Sequence, residues 1–322
     1  MKEHNYFDII SKTNAVKILE ADFKADKVNH AYMIVAQDSQ TANMFARFFA
    51  FKILCKTNTP DLTCSSCIKA LSGSNADFKI YPQKSKSIVV EDIQNIIENS
   101  VVAGIEGDKK VFLLNNFETA NLSAQNKLLK TLEEPPKNTH IILCVSNISN
   151  VLQTIISRCK IINADTFSKQ EINQMLINNN VETNKAQLIT EFCNFNIGTA
   201  LNYANNKNFE SVLNCVYNMF INCTKSSEIL KTVNGILKLK EDILLFLTLC
   251  EVVVHKALMH KNNNQNTISE ITQIAQNFTN LSLTAITKHI TQAKQKMQFN
   301  CNITSIIDML VLKILEEKHK WK

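Results

Sequence analysis

Two short apolar runs with a helix between them constrain the fold of this chain more than any other feature. The runs, residues 111–114 (VFLL) and 141–145 (IILCV), are bounded by polar residues, which is typical of buried parallel strands. Between them, residues 123–134 carry apolar side chains at helical spacing, and Pro135 stops the helix because proline has no N–H. A second helix is predicted near 151–157. This stretch therefore predicts a strand–helix–strand–helix unit of an α/β domain.

The N-terminal third predicts further elements of the same domain. Residues 14–22 favour a short amphipathic helix, 30–35 a strand and 42–55 a helix. A strand-like run at 88–90 and a helix at 91–101 follow. A strand, a turn and a helix at the start of an α/β domain mark the place where a phosphate-binding loop would lie.

The residues of this turn lack the chemistry of a phosphate-binding loop. Such a loop needs glycines that let backbone N–H groups approach phosphate, a lysine for its charge and a hydroxyl for Mg²⁺. The G-x-x-x-x-G-K-[ST] pattern laid over the turn places Ala36 and Thr41 at the glycines, Ala42 at the lysine and Asn43 at the hydroxyl. All four positions of the pattern are therefore lost.

The predicted strand at 111–114 also ends without the acids that hydrolysis requires. A hydrolytic strand of this type ends in two acids, one for Mg²⁺ and one for the attacking water. Here the strand ends in Asn115 and Asn116, which carry no charge. We therefore expect no ATP in the site of this domain and no intrinsic ATPase activity, although a divergent ATPase is a second hypothesis.

Three cysteines follow the helix at 42–55 and form a candidate metal site. Cys64 and Cys67 are separated by two residues on a predicted turn, and Cys55 lies upstream. Thiolates at this spacing can share a tetrahedral structural Zn²⁺. Three free thiols in a loop-and-helix insertion at 55–70 are the alternative.

The fourth ligand of this candidate zinc site is missing. A structural zinc site normally has four protein ligands, but the next position at the same spacing is Ala70. Asp61 or Asp77 could complete the site. A possible structural Zn²⁺ is therefore expected at Cys55, Cys64 and Cys67, and no other cofactor.

After residue 162 the pattern predicts helices alone. Ser168 and Glu171 form a capping box that opens one helix, and two more are predicted near 186–192 and 198–203. Four or five longer helices then form a predicted bundle. The predicted domains are an α/β core at 1–165, a small three-helix domain at 166–206 and a helical domain at 207–322.

Composition sets wider limits on the class of protein. The 322-residue chain has only 5 Gly and 4 Pro, which favours helices over a many-stranded β fold. Its net charge of +6 is compatible with nucleic-acid partners without demonstrating them. There is no signal-peptide pattern and no run of eighteen apolar residues, so we expect a cytoplasmic protein without a membrane span and with reduced cysteines.

Several motifs, in order along the chain, carry a family resemblance. Residues 126–136 (NKLLKTLEEPP) closely resemble a helix of bacterial clamp-loader subunits of the AAA+ class, and residues 157–159 (SRC) resemble the SRC motif of that family. The cysteine insertion is similar to its zinc module but lacks the cysteine at Ala70. The resemblance implies an AAA+ core with a parallel sheet flanked by helices, a small helical lid and an all-α C-terminal collar.

Within this family, the pattern resembles the delta-prime branch of the DNA polymerase III clamp loader. The resemblance implies that motor subunits (gamma/tau) keep the nucleotide motifs, that delta generally lacks SRC, and that delta-prime often combines a degenerate site with SRC. Thr199 stands where ATP-binding members carry the sensor-2 arginine. That is a third loss on the nucleotide side.

The resemblance gives Arg158 its expected role. Arginine is a permanently charged, planar fork suited to phosphate, and at a subunit edge it could act in trans on the ATP of a neighbour, with Ser157 and Cys159 supporting the turn. The expected partners are the gamma/tau and delta subunits, the sliding clamp and primed DNA, within the DNA polymerase holoenzyme. An ordinary surface arginine, and a stand-alone DNA-binding adaptor with a basic surface, are the alternatives.

Overall fold

A five-stranded parallel sheet forms the centre of the N-terminal part in a computed structural model of the chain. The structure describes residues 6–56, 63–83, 87–222, 226–263, 268–299 and 301–319. The strand order is β2-β3-β4-β1-β5, and every pair is parallel. The strands are β1 Ala31–Val35, β2 Phe78–Tyr81, β3 Lys110–Leu114, β4 Thr139–Val145 and β5 Lys160–Asn163.

Helices cover this sheet, and the described chain falls into two compact units, Met1–Asn202 and Tyr203–Lys322. The expected α/β fold class, a parallel sheet flanked by helices, is confirmed for the first unit. The helices that begin in the first unit are α1 Phe7–Ile10, α2 Asn14–Lys24, α3 Ser39–Leu54, α4 Ser65–Leu71, α5 Val90–Ser100, α6 Leu122–Glu133, α7 Gln153–Ile156, α8 Lys169–Asn178, α9 Thr183–Phe192 and α10 Ile197–Asn205.

The two apolar runs at 111–114 and 141–145 lie in the buried middle of the sheet. Every residue of β3 and β4 is buried, as expected for strands covered on both faces. Lys110 pairs with Thr139, and Ala31 of β1 pairs with Ile141. Since these strands are parallel, the residues that follow β1, β3 and β4 all lie at the same edge of the sheet, which is the edge that carries ligand sites in such folds.

One predicted strand is wrong. Residues 88–90 form no strand: Val89 is extended (φ −109°, ψ 165°) only because it precedes the first turn of α5, which begins at Val90. The strand next to β3 is β2 instead, paired from Phe78 opposite Val111. Its four residues carry no alternation long enough to mark them in the sequence. The strand β5 at the other edge of the sheet was also missed.

The second unit is helical, as predicted. Its described helices after α10 are α11 Phe209–Ile221, α12 Ser226–Leu237, α13 Ile243–Asn263, α14 Ser269–Asn277, α15 Asn280–Gln298 and α16 Ile303–His319. The division of the chain into core, lid and collar domains stays a prediction.

The helix α13, with 21 residues, is the longest of the described helices. Its stretch Ile243–Asn262 is long and apolar enough to cross a membrane by length and composition, but half of that stretch is buried inside the unit. The helix packs against α11, α14 and α15, with Phe246, Leu249 and Val253 fully buried. A core helix of a bundle passes the same test of length and composition, so the expectation of no membrane span stays a prediction.

Candidate functional site

The first turn of α3, where a phosphate-binding loop would place its anion, already holds a carboxylate of the chain. The Asp38 side chain accepts hydrogen bonds from the backbone N–H groups of Gln40 and Thr41, both at 2.9 Å. These are the free N–H groups that make a helix N-terminus attractive to anions. Asp38 therefore takes the electrostatic position of a phosphate and extends α3 to Ser39, three residues before the predicted start.

The start of α10 closes over the same turn. The Asn196 amide donates to the second oxygen of Asp38, and its own oxygen accepts from the Thr41 hydroxyl at 3.0 Å. The Gly198 N–H donates to the Thr41 hydroxyl oxygen at 3.1 Å. Even a methyl group has no room at Gly198, because its Cβ would lie 2.7 Å from the Asp38 carboxylate. The candidate phosphate position is therefore filled by side chains and backbone of the first unit.

The other residues of the predicted nucleotide site are buried, bind each other or form a turn. Ala36 and Ala42 are buried in the core. The Asn43 amide donates to the Asn115 side-chain oxygen at 2.5 Å, so two residues that the sequence predicts at lost magnesium-binding positions bind each other. Asn116 adopts a left-handed conformation (φ 50°) that starts a 3-10 turn.

The predicted sensor-2 position also contributes through its backbone. The Thr199 N–H donates to the Asn196 side-chain oxygen at 2.8 Å in the first turn of α10. This contact caps α10, and the side chain carries no charge that could reach a phosphate. Asn196 thus joins Thr41 and Thr199, two of the positions predicted from the sequence, although the sequence pattern alone did not select it.

The SRC segment forms the turn that ends α7. The Ser157 hydroxyl donates to the backbone carbonyl of Thr154 at 3.1 Å, and Nη1 of Arg158 donates to the same carbonyl at 2.7 Å. Nη2 of Arg158 forms an ion pair with Oε1 of Glu133, the last residue of α6, at 2.7 Å. The side chain of Arg158 keeps 33% of its surface exposed. It is one of only two arginines in the chain, the other being Arg47.

The residues around Arg158 hold this turn in place. Cys159 packs against the core under the sheet, and burial raises the pKa of its thiol to about 12, so it stays neutral at physiological pH. Gln125 in α6 donates to the carbonyl of Asn150 and accepts from the N–H of Leu152, each near 3 Å. Gln125 was missed by sequence reasoning, since a buried glutamine within an amphipathic helix has no distinctive pattern. Together these contacts tie the α7 turn to α6.

The three cysteines predicted as metal ligands are brought together. The sulfur atoms of Cys55, Cys64 and Cys67 all lie within 4.8 Å of one another, and those of Cys55 and Cys64 are 3.7 Å apart. Tetrahedral zinc with Zn–S bonds of about 2.3 Å would separate its sulfurs by about 3.8 Å, so the spacing fits zinc.

The thiol acidities in this cluster differ. Burial raises the pKa of Cys64, but hydrogen bonds from the Cys67 N–H and from the neighbouring thiols outweigh that effect, and the net pKa is lowered. Burial and the hydrogen bond with Cys64 raise the pKa of Cys67 above its ordinary value.

No protein group that the structure describes completes a four-ligand site here. Ala70 is buried and offers no donor. The Asp77 carboxylate instead accepts from the N–H groups of Ile105, Glu106 and Gly107, at 2.7 to 3.1 Å, and so holds the loop before β3. Asp61 lies outside the described residues. The donor set fits a zinc ion held by three thiolates with one coordination position left open.

The first unit matches a known protein family along most of its length. A family model described as DNA polymerase III, delta subunit, matches residues 11–168. This segment contains the first turn of α3, the cysteine cluster and the SRC turn.

Individual relatives point the same way. DNA polymerase III subunit delta' of Bacillus subtilis is 28% identical over 196 residues, covering 60% of this chain and 59% of the relative. DNA polymerase III subunit gamma of Buchnera aphidicola subsp. Schizaphis graminum is 26% identical over 210 residues, covering 62% and 58%. The chain thus spans less than two thirds of the length of these relatives.

Among solved structures, a DNA polymerase III gamma subunit-related protein of Thermotoga maritima aligns with a TM-score of 0.46 at 14% identity, covering 94% of this chain and 99% of that one. Through residues 11–168, about half of its length, this chain is therefore similar to the delta-subunit family of DNA polymerase III and to its delta' and gamma subunits.

Proposed function

We propose that this chain is a delta-prime-type clamp-loader subunit that binds no ATP itself and supplies Arg158 as an arginine finger to the ATP site of a neighbouring gamma/tau-type subunit. Its partners are the gamma/tau and delta subunits, and through them the sliding clamp and primed DNA, in the cytoplasm. The observation that carries the proposal is the contrast between a filled nucleotide position and an anchored, partly exposed arginine in one α/β unit.

The filled position argues against an ATPase in its own right. A nucleotide phosphate at the start of α3 would meet the Asp38 carboxylate, and like charges at that distance repel. It would also have to displace Asn196 and Gly198 from Thr41. A divergent ATPase would need all of these contacts to open.

The SRC turn has the properties that a finger requires. The guanidinium of Arg158 is permanently charged and presents five N–H donors, of which two are used by groups in the part of the chain that the structure describes. Its side chain is partly exposed, while Cys159 is held by the core. An arginine of this kind stabilises the charge that develops on a transferred phosphoryl group.

The test is reconstitution of the clamp loader with gamma/tau and delta subunits and with Arg158→Ala or Arg158→Lys in this chain. Loss of the finger should reduce ATP turnover at the neighbouring site by on the order of 10³-fold, with slower clamp loading. Lysine should rescue little, because it lacks the planar fork. The exposed Lys137, replaced by alanine, is the matched control. Unchanged ATPase activity and clamp loading in Arg158→Ala, or micromolar ATP binding by the isolated chain, would overturn the proposal.

A further inference from the structure

We propose that Glu133 is a positioning residue for Arg158, and that its carboxylate sets the orientation in which the guanidinium meets a neighbour's phosphate. The inference deepens the proposed function and rests on it. Glu133 contacts Arg158 of the same chain. In the proposed arrangement the phosphate of the neighbour is contacted by Arg158 and not by Glu133.

The guanidinium of Arg158 is bound at two of its nitrogen atoms by groups from two different helices. Nη1 is held by the Thr154 carbonyl of α7, and Nη2 by Glu133 at the end of α6, each at 2.7 Å. A planar group held at two nitrogen atoms has a defined plane, whereas one contact would leave it free to rotate. The three remaining N–H groups are then available to an oxygen anion in one preferred orientation.

The two anchors keep a constant separation because α6 and the α7 turn are joined independently of Arg158. Gln125 connects α6 with residues 150 and 152 through partly buried hydrogen bonds. Leu128 and Leu132 of α6 pack into the same core as Ile155 of α7. Glu133 is therefore held in place by the packing of α6, and a residue that positions a reactive side chain needs such fixed placement.

The ion pair between Glu133 and Arg158 can orient the guanidinium without preventing it from binding a phosphate. Glu133 is 47% exposed and Arg158 33% exposed, and water screens pairs of this kind strongly. A nucleotide phosphate carries more charge than one carboxylate and can recruit the remaining donors without breaking the pair. A carboxylate that instead trapped the arginine would inhibit the complex, and its removal would raise activity.

The experiment compares Glu133→Ala, Glu133→Gln and Glu134→Ala in the reconstituted complex. Glu134 is the neighbouring exposed glutamate and serves as the matched control. Glu133→Ala should lower the kcat of ATP hydrolysis about 10-fold with little change in KM, since a misplaced finger affects the transition state more than binding. Glu133→Gln keeps an oxygen acceptor for Nη2 and should retain most of the activity, and Glu134→Ala should match wild type.

Three results would overturn the inference. The first is a wild-type kcat in Glu133→Ala while Arg158→Ala is inactive, and the second is a kcat above wild type in Glu133→Ala. The third is an equal loss of kcat in Glu133→Ala and Glu134→Ala. Thermal unfolding of the isolated variants separates these outcomes from misfolding, because Glu133→Ala should keep the wild-type Tm. Unchanged activity in Arg158→Ala would overturn the proposed function itself, and the two failures are therefore distinguishable.

Discussion

The Asn196 side-chain amide donates a hydrogen bond to the Asp38 carboxylate across 158 residues of sequence. Asp38 in turn accepts from two N–H groups at the start of α3. In a nucleotide site, a bound phosphate would take the place of that carboxylate at the helix terminus. Here the chain connects α3 and α10 by its own side chains, so this connection does not depend on a nucleotide.

Replacing Asp38 by alanine should destabilise the first unit by about 2 kcal/mol. The change removes the N-cap of α3, which is typically worth about 1 kcal/mol, and leaves the Asn196 amide without this acceptor. Denaturant unfolding followed by circular dichroism measures the loss. The exposed Asp108→Ala is the control and should stay within about 0.5 kcal/mol of wild type. Losses that simply add in the Asp38→Ala, Asn196→Ala double variant would contradict the coupling, since contacting residues are non-additive.

Replacing either of two glycines by alanine should change the stability of the protein, in opposite directions at the two positions. A Cβ at Gly198 would lie 2.7 to 2.9 Å from Asp38 and Thr41 atoms, whereas nothing lies within 4 Å of a Cβ at Gly235 in α12. Gly198→Ala should therefore cost about 1 to 3 kcal/mol by overpacking. Gly235→Ala should gain about 0.5 to 1 kcal/mol from helix propensity. A wild-type Tm for Gly198→Ala would show that α10 does not pack closely on α3.

The sequence predicts local features of this fold well and long-range ones poorly. The strands β3 and β4 were predictable because both are short apolar runs buried on both faces. The loss of the phosphate-binding pattern was also visible. What fills the empty position was not, because Asn196 meets Asp38 only after the chain has folded. Likewise the ion pair between Glu133 and Arg158 could not be predicted. It joins the ends of two helices, and the periodicity of the sequence gives no information about contacts between separate elements.

The stability of the first unit should rise with pH below about pH 6.5, the ordinary pKa of histidine. Burial lowers the pKa of His140 in β4, and the charges of Lys109 and His30 act in the same direction, against the hydrogen bond to the Asn29 carbonyl. The unfolded chain therefore binds a proton that the folded chain excludes. This contribution is fully present above the unfolded pKa and is lost as pH falls toward the folded one.

The variant His140→Asn tests this pH dependence. Its free energy of unfolding should change less between pH 5 and 7 than that of wild type, whereas the exposed His255→Gln should keep the wild-type slope. Equal slopes in wild type and His140→Asn would assign the pH dependence to other groups.

The cysteine cluster should bind zinc more weakly than a four-cysteine site. Elemental analysis of protein purified without chelator should detect zinc, and chelator should remove it readily because one coordination position is open. Cys64→Ser should abolish binding, while Cys301→Ser, which changes an exposed cysteine outside the cluster, should leave the zinc content unchanged. Far less than one equivalent of zinc in the wild-type protein would mean that the three cysteines are free thiols.

The second unit should depend on a buried lysine at the end of a helix. Nζ of Lys318 donates to the carbonyls of Phe220 and Ile221, both at 3.1 Å, and these are the last residues of α11. Lys318 is 5% exposed, so its charge is stabilised by these carbonyls and by the negative end of the helix dipole. Lys318→Met should keep the packing but lose these charged hydrogen bonds.

The expected cost of Lys318→Met is about 2 kcal/mol, since hydrogen bonds to charged groups contribute about 1.5 to 3 kcal/mol and the methionine stem recovers part of the apolar contact. Denaturant unfolding of the full chain measures it. Lys313→Met is the matched control in the same helix, because Lys313 is exposed and pairs with Glu316 at 2.8 Å on the surface. Such surface pairs contribute about 0 to 1 kcal/mol, so the control should unfold nearly as wild type does. If the two variants lose equal stability, the carbonyl contacts of Lys318 do not hold the end of α11.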